Sequence, residues 1–450
     1  MVISRRQMIA MAGGTASAVL LESCLRSLSR PSGAQTVEGN AGFGSLRPDP
    51  DGILDLPEGF RYRVISQAGQ RMDDGHRVPG AFDGMGAFQG PDNHVILVRN
   101  HELTPGARLG TTAEGASVYD PRCKGGTTTL VVDPDLNRVQ QFTSLAGTSR
   151  NCAGGPTPWQ SWVSCEEITM TPDLNQPNNP DNVDKPHGYN FEVPASASTA
   201  VVPEPLVAMG RFRHEAIAVD PRTGTVYQTE DQIDGLFYRF IPNEREDLSI
   251  GGKLEALTIQ DVPLAITHSG FPVNQPVSVE WVPIEDVDPV NDTVRYEGQQ
   301  KGAAIFSRGE GICYSDGHLY FTCTNGGDVP AGQVWKYTPH HSQPDTATSE
   351  ESSSGTLELL VQPNNPQILD YPDNIWMAPW GDLLLCEDGA GEQFIIGVTP
   401  HGQLYRFARN ALNGAEFAGI CTVPGGTTLF LNIYSPGLTL AVWRESAQSS

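Results

Sequence analysis

Residues 151–167 read NCAGGPTPWQSWVSCEE and predict a β-hairpin with reactive side chains at both ends. The first strand begins at Cys152, and a turn region with glycine and proline follows. The second strand is mostly apolar and ends on Glu166 and Glu167. A short apolar segment bounded by turn residues is typical of a strand. Because hairpin strands run side by side, the cysteine and the two acids are expected at the same end.

Five further segments repeat this plan, with a polar residue near the first strand and polar residues after the second. The copies start at Asp83, His214, Glu310, Asp373 and Glu416. A third and often a fourth strand pattern follows each hairpin, and four short strands per radial repeat is the plan of a β-propeller. The sequence therefore predicts an all-β fold, a six-bladed β-propeller. We expect residues 60–65 to supply the last strand and close the ring.

The length and net charge of the chain predict its domain organisation and exclude some classes of partner. The 450 residues are predicted to form one catalytic propeller domain over residues 51–445, after a signal peptide and flexible lead-in over residues 1–40. The net charge of −24 argues against nucleic acid or an anionic membrane as a partner. The expected partner is a small molecule, and the expected oligomeric state is a monomer.

The first residues have the pattern of an export signal. Arg5 and Arg6 precede a short apolar run over residues 10–21, which is typical of a Tat signal. The run is too short to span a bilayer. We therefore expect the Tat export machinery to deliver the protein to the periplasm or the cell exterior. The alternative is a chance arginine pair on a buried helix, and Cys24, in a loosely lipobox-like context, makes a lipid anchor a minor alternative.

Acidic residues recur at the strand ends that a propeller would bring to one mouth. The first layer would contain Asp83, Cys152, Glu215, Glu310, Asp373 and Glu416. The next layer would contain Glu166, Glu167, Glu230, Asp231, Glu387 and Asp388. So many carboxylates cannot all stay ionised and unpaired, and Ca²⁺ is the cation that favours such oxygen ligands. The alternative is that the acids cap strands and pair with Arg150, Arg211 and Arg308.

Cys152 differs from the other cysteines of the chain. Cys165, Cys323 and Cys386 stand late in second strands, where a small apolar side chain would pack between blades. Cys152 instead stands where other copies have Glu215, Glu310 or Asp373. A thiolate among carboxylates adds a preference for a transition metal such as iron, so the position predicts a metal ligand.

Several motifs resemble those of the PhoX-type alkaline phosphatases. They are RNCAGG at 150–155, RHEA at 213–216, RGEG at 308–311, TNGGD at 324–328, GQVW at 332–335, PDN at 372–374, LPEGF at 56–60 and PGAFDGM at 79–85. The similarity runs from residue 51 to residue 442. It implies a Tat-exported propeller phosphomonoesterase that releases inorganic phosphate from small organic phosphate esters.

The resemblance also implies the cofactors, Fe³⁺ and Ca²⁺, and a role for each matching residue. Cys152 would bridge the irons, Glu215 and Glu310 would bind iron, and Arg308 would bind the substrate phosphate. A second phosphate-binding arginine is expected late in the chain, at Arg406 or Arg409. The calcium ligands are expected among Glu166, Glu167, Glu230, Asp231, Asp373, Glu387 and Asp388.

Two other functions are compatible with an acidic propeller channel. One is a calcium-stabilised propeller that binds a ligand or partner without turnover, and the other is a calcium-dependent lactonase. Cys152 discriminates between these alternatives and the phosphatase, because a calcium-only site gains nothing from a thiolate.

Overall fold

The computed structural model describes residues 41–340 and 354–445. The leader predicted over residues 1–40, with Arg5, Arg6 and Cys24, lies outside the described residues. Strands dominate the described chain, and the longest α-helix has 7 residues. Within these ranges, no helix has the length and apolar character needed to cross a membrane.

The described residues form 26 strands, numbered here in sequence order. They are β1 (Leu46–Arg47), β2 (Leu54–Pro57), β3 (Phe60–Gln67), β4 (Phe82–Gln89), β5 (Val95–His101), β6 (Gly125–Val132), β7 (Arg138–Thr148), β8 (Asn151–Pro156), β9 (Ser161–Glu166), β10 (Asn190–Pro194), β11 (His214–Val219), β12 (Val226–Glu230), β13 (Phe237–Glu244), β14 (Asp247–Ile259), β15 (Val277–Pro283), β16 (Gly309–Ser315), β17 (His318–Cys323), β18 (Gln333–Pro339), β19 (Gly355–Val361), β20 (Pro372–Met377), β21 (Leu383–Glu387), β22 (Phe394–Val398), β23 (Leu404–Asn410), β24 (Phe417–Cys421), β25 (Leu429–Ile433) and β26 (Leu438–Arg444). The helices in this part of the chain are α1 (Val294–Gln300) and three 3₁₀ turns, Pro91–Asn93, Gly115–Ser117 and Val207–Met209.

These strands pair into five antiparallel sheets. Two sheets have four strands each, in the orders β4-β5-β6-β7 and β24-β25-β26-β3. A third has only β8, β9 and β10. The fourth runs β20 to β23 and continues into β2 and β1. The fifth has nine strands, because β15 lies between β14 and β19 and joins the unit that starts at β11 to the unit that starts at β16.

The first and last parts of the chain meet in one sheet. Strand β3 pairs with β26 over its whole length, with Val64 opposite Leu440 and Tyr62 opposite Val442. The prediction that residues 60–65 supply the closing strand is therefore confirmed. The pairing satisfies the backbone edge that β26 would otherwise leave open.

The first strand of each unit packs directly against the first strand of the next. At Gly155 in β8, an added Cβ would lie 2.0 Å from the carbonyl oxygen of Ile217 in β11, and at Gly84 in β4 it would lie 2.6 Å from Cα of Ala153 in β8. Only glycine permits backbones to approach this closely. The repeated glycines after the site residues therefore set the spacing of the inner strands.

The all-β, propeller-like fold predicted from the sequence is confirmed. The prediction of six separate four-stranded blades differs from the hydrogen-bonded sheets, of which the described residues form five. The difference arises because β15 bridges two repeats, β8–β10 lack a fourth strand, and β1 and β2 extend another repeat.

Candidate metal centre

A β-bulge recurs at the site residue of five inner strands. In β4, β8, β11, β16 and β20 the pairing register shifts between the first and fourth residues of the strand. The second residue of each is, in order, Asp83, Cys152, Glu215, Glu310 and Asp373. A bulge bends its strand and redirects one side chain out of the ladder. The same local irregularity therefore directs all five of these side chains.

The sixth inner strand, β24, carries its acid differently. Its register shift falls between its second and fifth residues, so Gly419 stands at the bulge and offers no ligand. Glu416 precedes the strand, yet a carboxylate oxygen of Glu416 lies within 4.8 Å of oxygens of Asp373 and Asp388. The acid reaches the cluster from the connecting segment.

A second layer of acidic residues is positioned by a backbone hydrogen bond that recurs in four of the repeats. The residue just after the second strand donates its N–H to the carbonyl of the residue two positions before the first-layer side chain. The pairs are Glu102 to Ala81, Glu167 to Arg150, Asp231 to Arg213 and Asp388 to Tyr371, at 3.1, 2.9, 3.3 and 2.9 Å. This bond places Glu102, Glu167, Asp231 and Asp388 at equivalent positions.

The two layers meet in one continuous cluster of potential ligands. Ligand atoms of Cys152, Glu167 and Glu215 lie within 4.8 Å of one another, and Glu215 forms a second such group with Glu310 and Asp373. Because Asp373 also belongs to the group with Asp388 and Glu416, the groups share members from end to end.

The side chain of Glu215 is fully buried, at 0% exposure. Among the described residues, neither of its carboxylate oxygens has a hydrogen-bond donor. The thiol of Cys152 is also buried, 3.5 Å from a carboxylate oxygen of Asp83. Buried polar atoms without partners are costly unless a ligand satisfies them. The donors present, one thiol with several carboxylates, therefore fit a mixed cluster of iron and calcium.

Burial and mutual repulsion oppose ionisation of these acids. Burial raises the pKa of Glu215 and Glu310 well above the usual range, and the neighbouring carboxylates add to the effect. Burial likewise raises the pKa of Asp373 to about 7 and that of Glu167 to about 8. Bound cations would reverse this trend, because an ion beside a carboxylate favours its charged form.

Arg308 lies at the edge of the cluster. Its backbone has a φ of 53°, in the left-handed region, and its Nε and Nη2 donate to the two carboxylate oxygens of Asp231 at 2.7 and 2.9 Å. Nη2 also donates to Glu310 at 2.8 Å. Burial acts to raise the pKa of Asp231, but the hydrogen bonds and charge of Arg308 outweigh it and lower that pKa. The guanidinium is thus fixed beside the ligands while 29% of its side chain stays exposed.

Arg150 occupies the equivalent place beside Cys152. Its φ is 49°, and it forms ion pairs with Glu102, at 2.6 Å, and with Glu167. Its side chain is 26% exposed. Two partly exposed guanidinium groups therefore border a cluster that is otherwise acidic.

Comparison with known proteins identifies the family. The family model for alkaline phosphatase PhoX matches residues 41–437. This chain belongs to the PhoX alkaline phosphatase family. The sequence-based assignment to this family is confirmed, and the chain is an enzyme, a metal-dependent phosphomonoesterase. No curated protein matched the sequence.

Solved structures similar to this PhoX-family chain include Pseudomonas fluorescens PhoX in complex with vanadate, a transition state analogue. It is 19% identical, with a TM-score of 0.67, over 92% of this chain and 97% of that chain. This likeness concerns the fold. A protein of unknown function from Dyadobacter fermentans is 7% identical, with a TM-score of 0.46, over 86% and 98% of the two chains. A gluconolactonase from Xanthomonas campestris is 13% identical, with a TM-score of 0.38, over 92% and 98%.

In each adjacent pair of acids, the first side chain lies outside the groups that form the PhoX-family cluster. Glu166 accepts hydrogen bonds from the backbone of Ser149 and Gly188, both at 2.8 Å. Glu230 accepts from Leu236 N–H and Tyr238 O–H.

Glu387 accepts from the backbone N–H groups of Asp370 and Phe394 in the same way. These contacts correct the expectation that Glu166, Glu230 and Glu387 face the metals. Consecutive residues of an extended strand point to opposite faces, so the first acid of each pair supports a loop. Of the second acids, Glu167 and Asp388 enter the cluster, whereas Asp231, also expected among the calcium ligands, is paired with Arg308 at its edge.

The structure does not bring Arg406 or Arg409 to the cluster either. Both lie on β23, which is separated from the inner strand β20 by two strands. Arg409 pairs with Asp55 and Glu392, and the Arg406 guanidinium lies over the Phe394 ring. Neither arginine lies at the cluster, because the described residues that form it stand at the start of the first strands or directly after the second strands of the repeats.

From the sequence, Asp83 and Glu416 are expected in the ring of acids but are not assigned as metal ligands. Glu102 is not predicted as a site residue. Asp83 occupies the same bulge position as Cys152. Glu102 follows β5 as Glu167 follows β9. Alignment of the repeats by strand position would have found both residues.

Proposed function

We propose that this phosphatase hydrolyses small phosphate monoesters at the central cluster, with iron bound around Cys152 and calcium bound by the outer carboxylates. The observation that carries the proposal is the Cys152 thiol lying within 4.8 Å of Glu167 and Glu215, where Glu215 has no protein partner. A calcium-only site would leave the thiolate without a role. The lactonase and non-catalytic alternatives are therefore disfavoured.

The proposed ligands divide by chemistry. Iron would be held by Cys152, Glu215 and Glu310, because thiolate and carboxylate together suit a transition metal. Calcium would be held by carboxylates alone, from Glu167, Asp373, Asp388 and Glu416. When bound, the ions would supply charge neutralisation and polarisation of the phosphate ester.

Arg308 is the residue proposed to orient the phosphate. Its Nε and Nη2 are committed to Asp231 and Glu310. Within the described residues, Nη1 makes no protein hydrogen bond and can donate to a phosphate oxygen. A guanidinium held by two carboxylates loses little freedom on binding, and it stabilises negative charge that develops on the equatorial oxygens.

One experiment tests the proposed chemistry at the level of the whole site. The protein would be purified without chelator, its iron and calcium measured, and hydrolysis of p-nitrophenyl phosphate assayed before and after metal removal. We expect both metals, turnover that depends on them, and visible absorbance from a ferric thiolate. A colourless, iron-free protein with full turnover would contradict the iron assignment.

We further propose that the ring has six blades. The six first strands β4, β8, β11, β16, β20 and β24 contact one another in this order, and β24 returns to β4. The merging of two units through β15 occurs at their outer edges, because β14 and β19 are the fourth strands of those units. An experimental structure with six radial units around one channel would test this count.

Export by the Tat machinery and a monomeric state are also proposals. Arg5 and Arg6 before an apolar run support the first. Replacing both by lysine should leave the protein in the cytoplasm in a fractionation experiment, whereas normal export of the double variant would contradict it. Light scattering after size-exclusion chromatography should give the mass of one chain.

A further inference from the structure

A second group of ligand-type side chains lies outside the central cluster. Asp120 and Cys123 belong to the connection between β5 and β6, and His187 belongs to the connection between β9 and β10. All three are buried, at 0%, 3% and 0% exposure. One ligand atom from each lies within 4.8 Å of the others, and none of the three is part of the central cluster.

His187 Nε2 faces both of the other side chains, at distances that also permit hydrogen bonds. His187 Nε2 lies 3.4 Å from Oδ2 of Asp120 and 3.3 Å from Sγ of Cys123. An N–H to carboxylate bond normally spans about 2.7–3.2 Å, and a thiol sulfur is a weak acceptor. The carboxylate contact of Nε2 is thus longer than a typical hydrogen bond, and its sulfur contact is a weak one.

The same distances are those expected around a tetrahedral zinc ion. Zinc bonds of about 2.3 Å to sulfur and about 2.0–2.1 Å to nitrogen and oxygen place sulfur and nitrogen about 3.6 Å apart, and nitrogen and oxygen about 3.4 Å apart. The observed 3.3 and 3.4 Å are close to these values. Cysteine, histidine and aspartate are all common zinc ligands.

The other histidine nitrogen is already oriented as a metal site requires. His187 Nδ1 lies 2.6 Å from a carboxylate oxygen of Glu166, which also accepts the Ser149 N–H. A carboxylate that accepts from Nδ1–H keeps that proton on Nδ1, so the proton on Nε2 is the one that a metal displaces. The Tyr119 ring packs edge-on against the imidazole and holds its plane.

We propose that Asp120, Cys123 and His187 bind a zinc ion that is separate from the central cluster. Binding forms one bond from zinc to each of Cys123 Sγ, His187 Nε2 and an Asp120 carboxylate oxygen. It releases two protons to solvent, one from the thiol and one from Nε2 of the imidazolium, while the ionised carboxylate releases none. The added charge of the ion equals that of the departing protons, so the net charge of the pocket does not change. A water molecule completes the tetrahedron.

The position of this zinc gives it a structural role. It ties the β5–β6 connection to the end of the polar insertion over residues 171–185, because Oδ2 of Asp120 also accepts from the backbone of Asp184 and Lys185. Through His187 it braces Glu166, whose chain neighbour Glu167 enters the central cluster. Loss of the zinc should therefore loosen this side of the mouth.

The test uses Cys152→Ser as the background, so that a sulfur on zinc cannot come from the central cluster. In this background we expect one zinc per chain by elemental analysis. X-ray absorption at the zinc edge should show one sulfur at about 2.3 Å and nitrogen or oxygen at about 2.0–2.1 Å. Zinc without a sulfur neighbour, or no zinc after incubation with zinc salt, would overturn the proposal.

Adding Cys123→Ala or His187→Gln to this background should remove the zinc and lower the melting temperature. Cys421→Ala is the matched control, because Cys421 is a buried thiol whose pKa is raised by burial alone. The control should keep the zinc. Should either double variant fail to fold, the absorption spectrum of the Cys152→Ser protein still decides. Unchanged zinc in both double variants would overturn the assignment.

Discussion

Glu387 and Asp388 are consecutive in the chain, but their carboxylates serve different parts of the structure. Glu387 accepts backbone hydrogen bonds from Asp370 and Phe394, whereas Asp388 lies with Asp373 in the central cluster. Alternation along an extended strand separates the two side chains. Two adjacent acidic residues therefore have different roles: Glu387 supports a loop, and Asp388 belongs to the cluster.

Asp388→Asn and Glu387→Gln form a matched pair that tests this separation. Asp388→Asn should weaken calcium binding and lower phosphatase activity, because an amide is a poorer calcium ligand than a carboxylate. Glu387→Gln keeps a hydrogen-bond acceptor, so this variant should retain the metals. The weaker acceptor should lower only its melting temperature. Metal titrations and melting curves of both variants measure this, and equal loss of calcium in the two would contradict it.

The sequence was sufficient for the fold class, the closing strand and the set of first-layer residues, because each depends on a pattern repeated along the chain. The sequence could not show which acids of the adjacent pairs enter the cluster. The direction of each side chain depends on which acid is the last residue of its strand, and on the loop N–H groups that donate hydrogen bonds to Glu166 and Glu230. The sequence also could not show that β15 joins two repeats into one sheet, because the pairing of β15 with β19 involves residues far apart in the chain.

Cys152→Ser should remove iron, visible colour and activity together while leaving the β fold. A hydroxyl is a much poorer iron ligand than a thiolate at neutral pH. Cys421→Ser is the control, because Cys421 is also buried on an inner strand but lies outside the cluster. Iron analysis, the absorption spectrum and far-UV circular dichroism would be compared. Retained iron with full turnover in Cys152→Ser would make the thiol a packing residue.

Arg308→Lys should keep the metals but lower phosphate binding and rate. Lysine retains the charge and loses the planar fork that contacts Asp231 and Glu310. Each lost charge-assisted hydrogen bond costs about 1.5–3 kcal/mol, which is roughly a ten- to hundredfold loss in rate. Arg409→Lys is the control and should keep its activity. Loss of metals from Arg308→Lys would instead assign Arg308 to the support of Glu310.

The metal-free protein should become less stable as the pH rises. Burial in the folded chain raises the pKa of Asp373 from its ordinary value of 3.8 to about 7 and that of Glu167 from 4.5 to about 8. The folded state therefore binds protons that the unfolded chain has released, so this stabilisation is present at low pH and lost as the pH rises through 7 to 8.

Melting temperatures of the chelated protein at about pH 5 and about pH 8 check this dependence. Added calcium and iron should raise the melting temperature most at the higher pH, where the carboxylates are free to bind. Asp373→Asn removes one of the acids and should flatten the dependence. A metal-free protein that melts higher at the alkaline pH, with no effect of Asp373→Asn, would contradict the explanation.

The central claim is that a cluster around Cys152 holds iron and calcium and hydrolyses phosphate esters. Its most direct test is p-nitrophenyl phosphate turnover by chelator-free protein, measured together with iron and calcium content as the metals are removed and restored. We expect turnover to fall as iron is lost and to return only when both metals are restored. Full turnover in a protein stripped of both metals would contradict it.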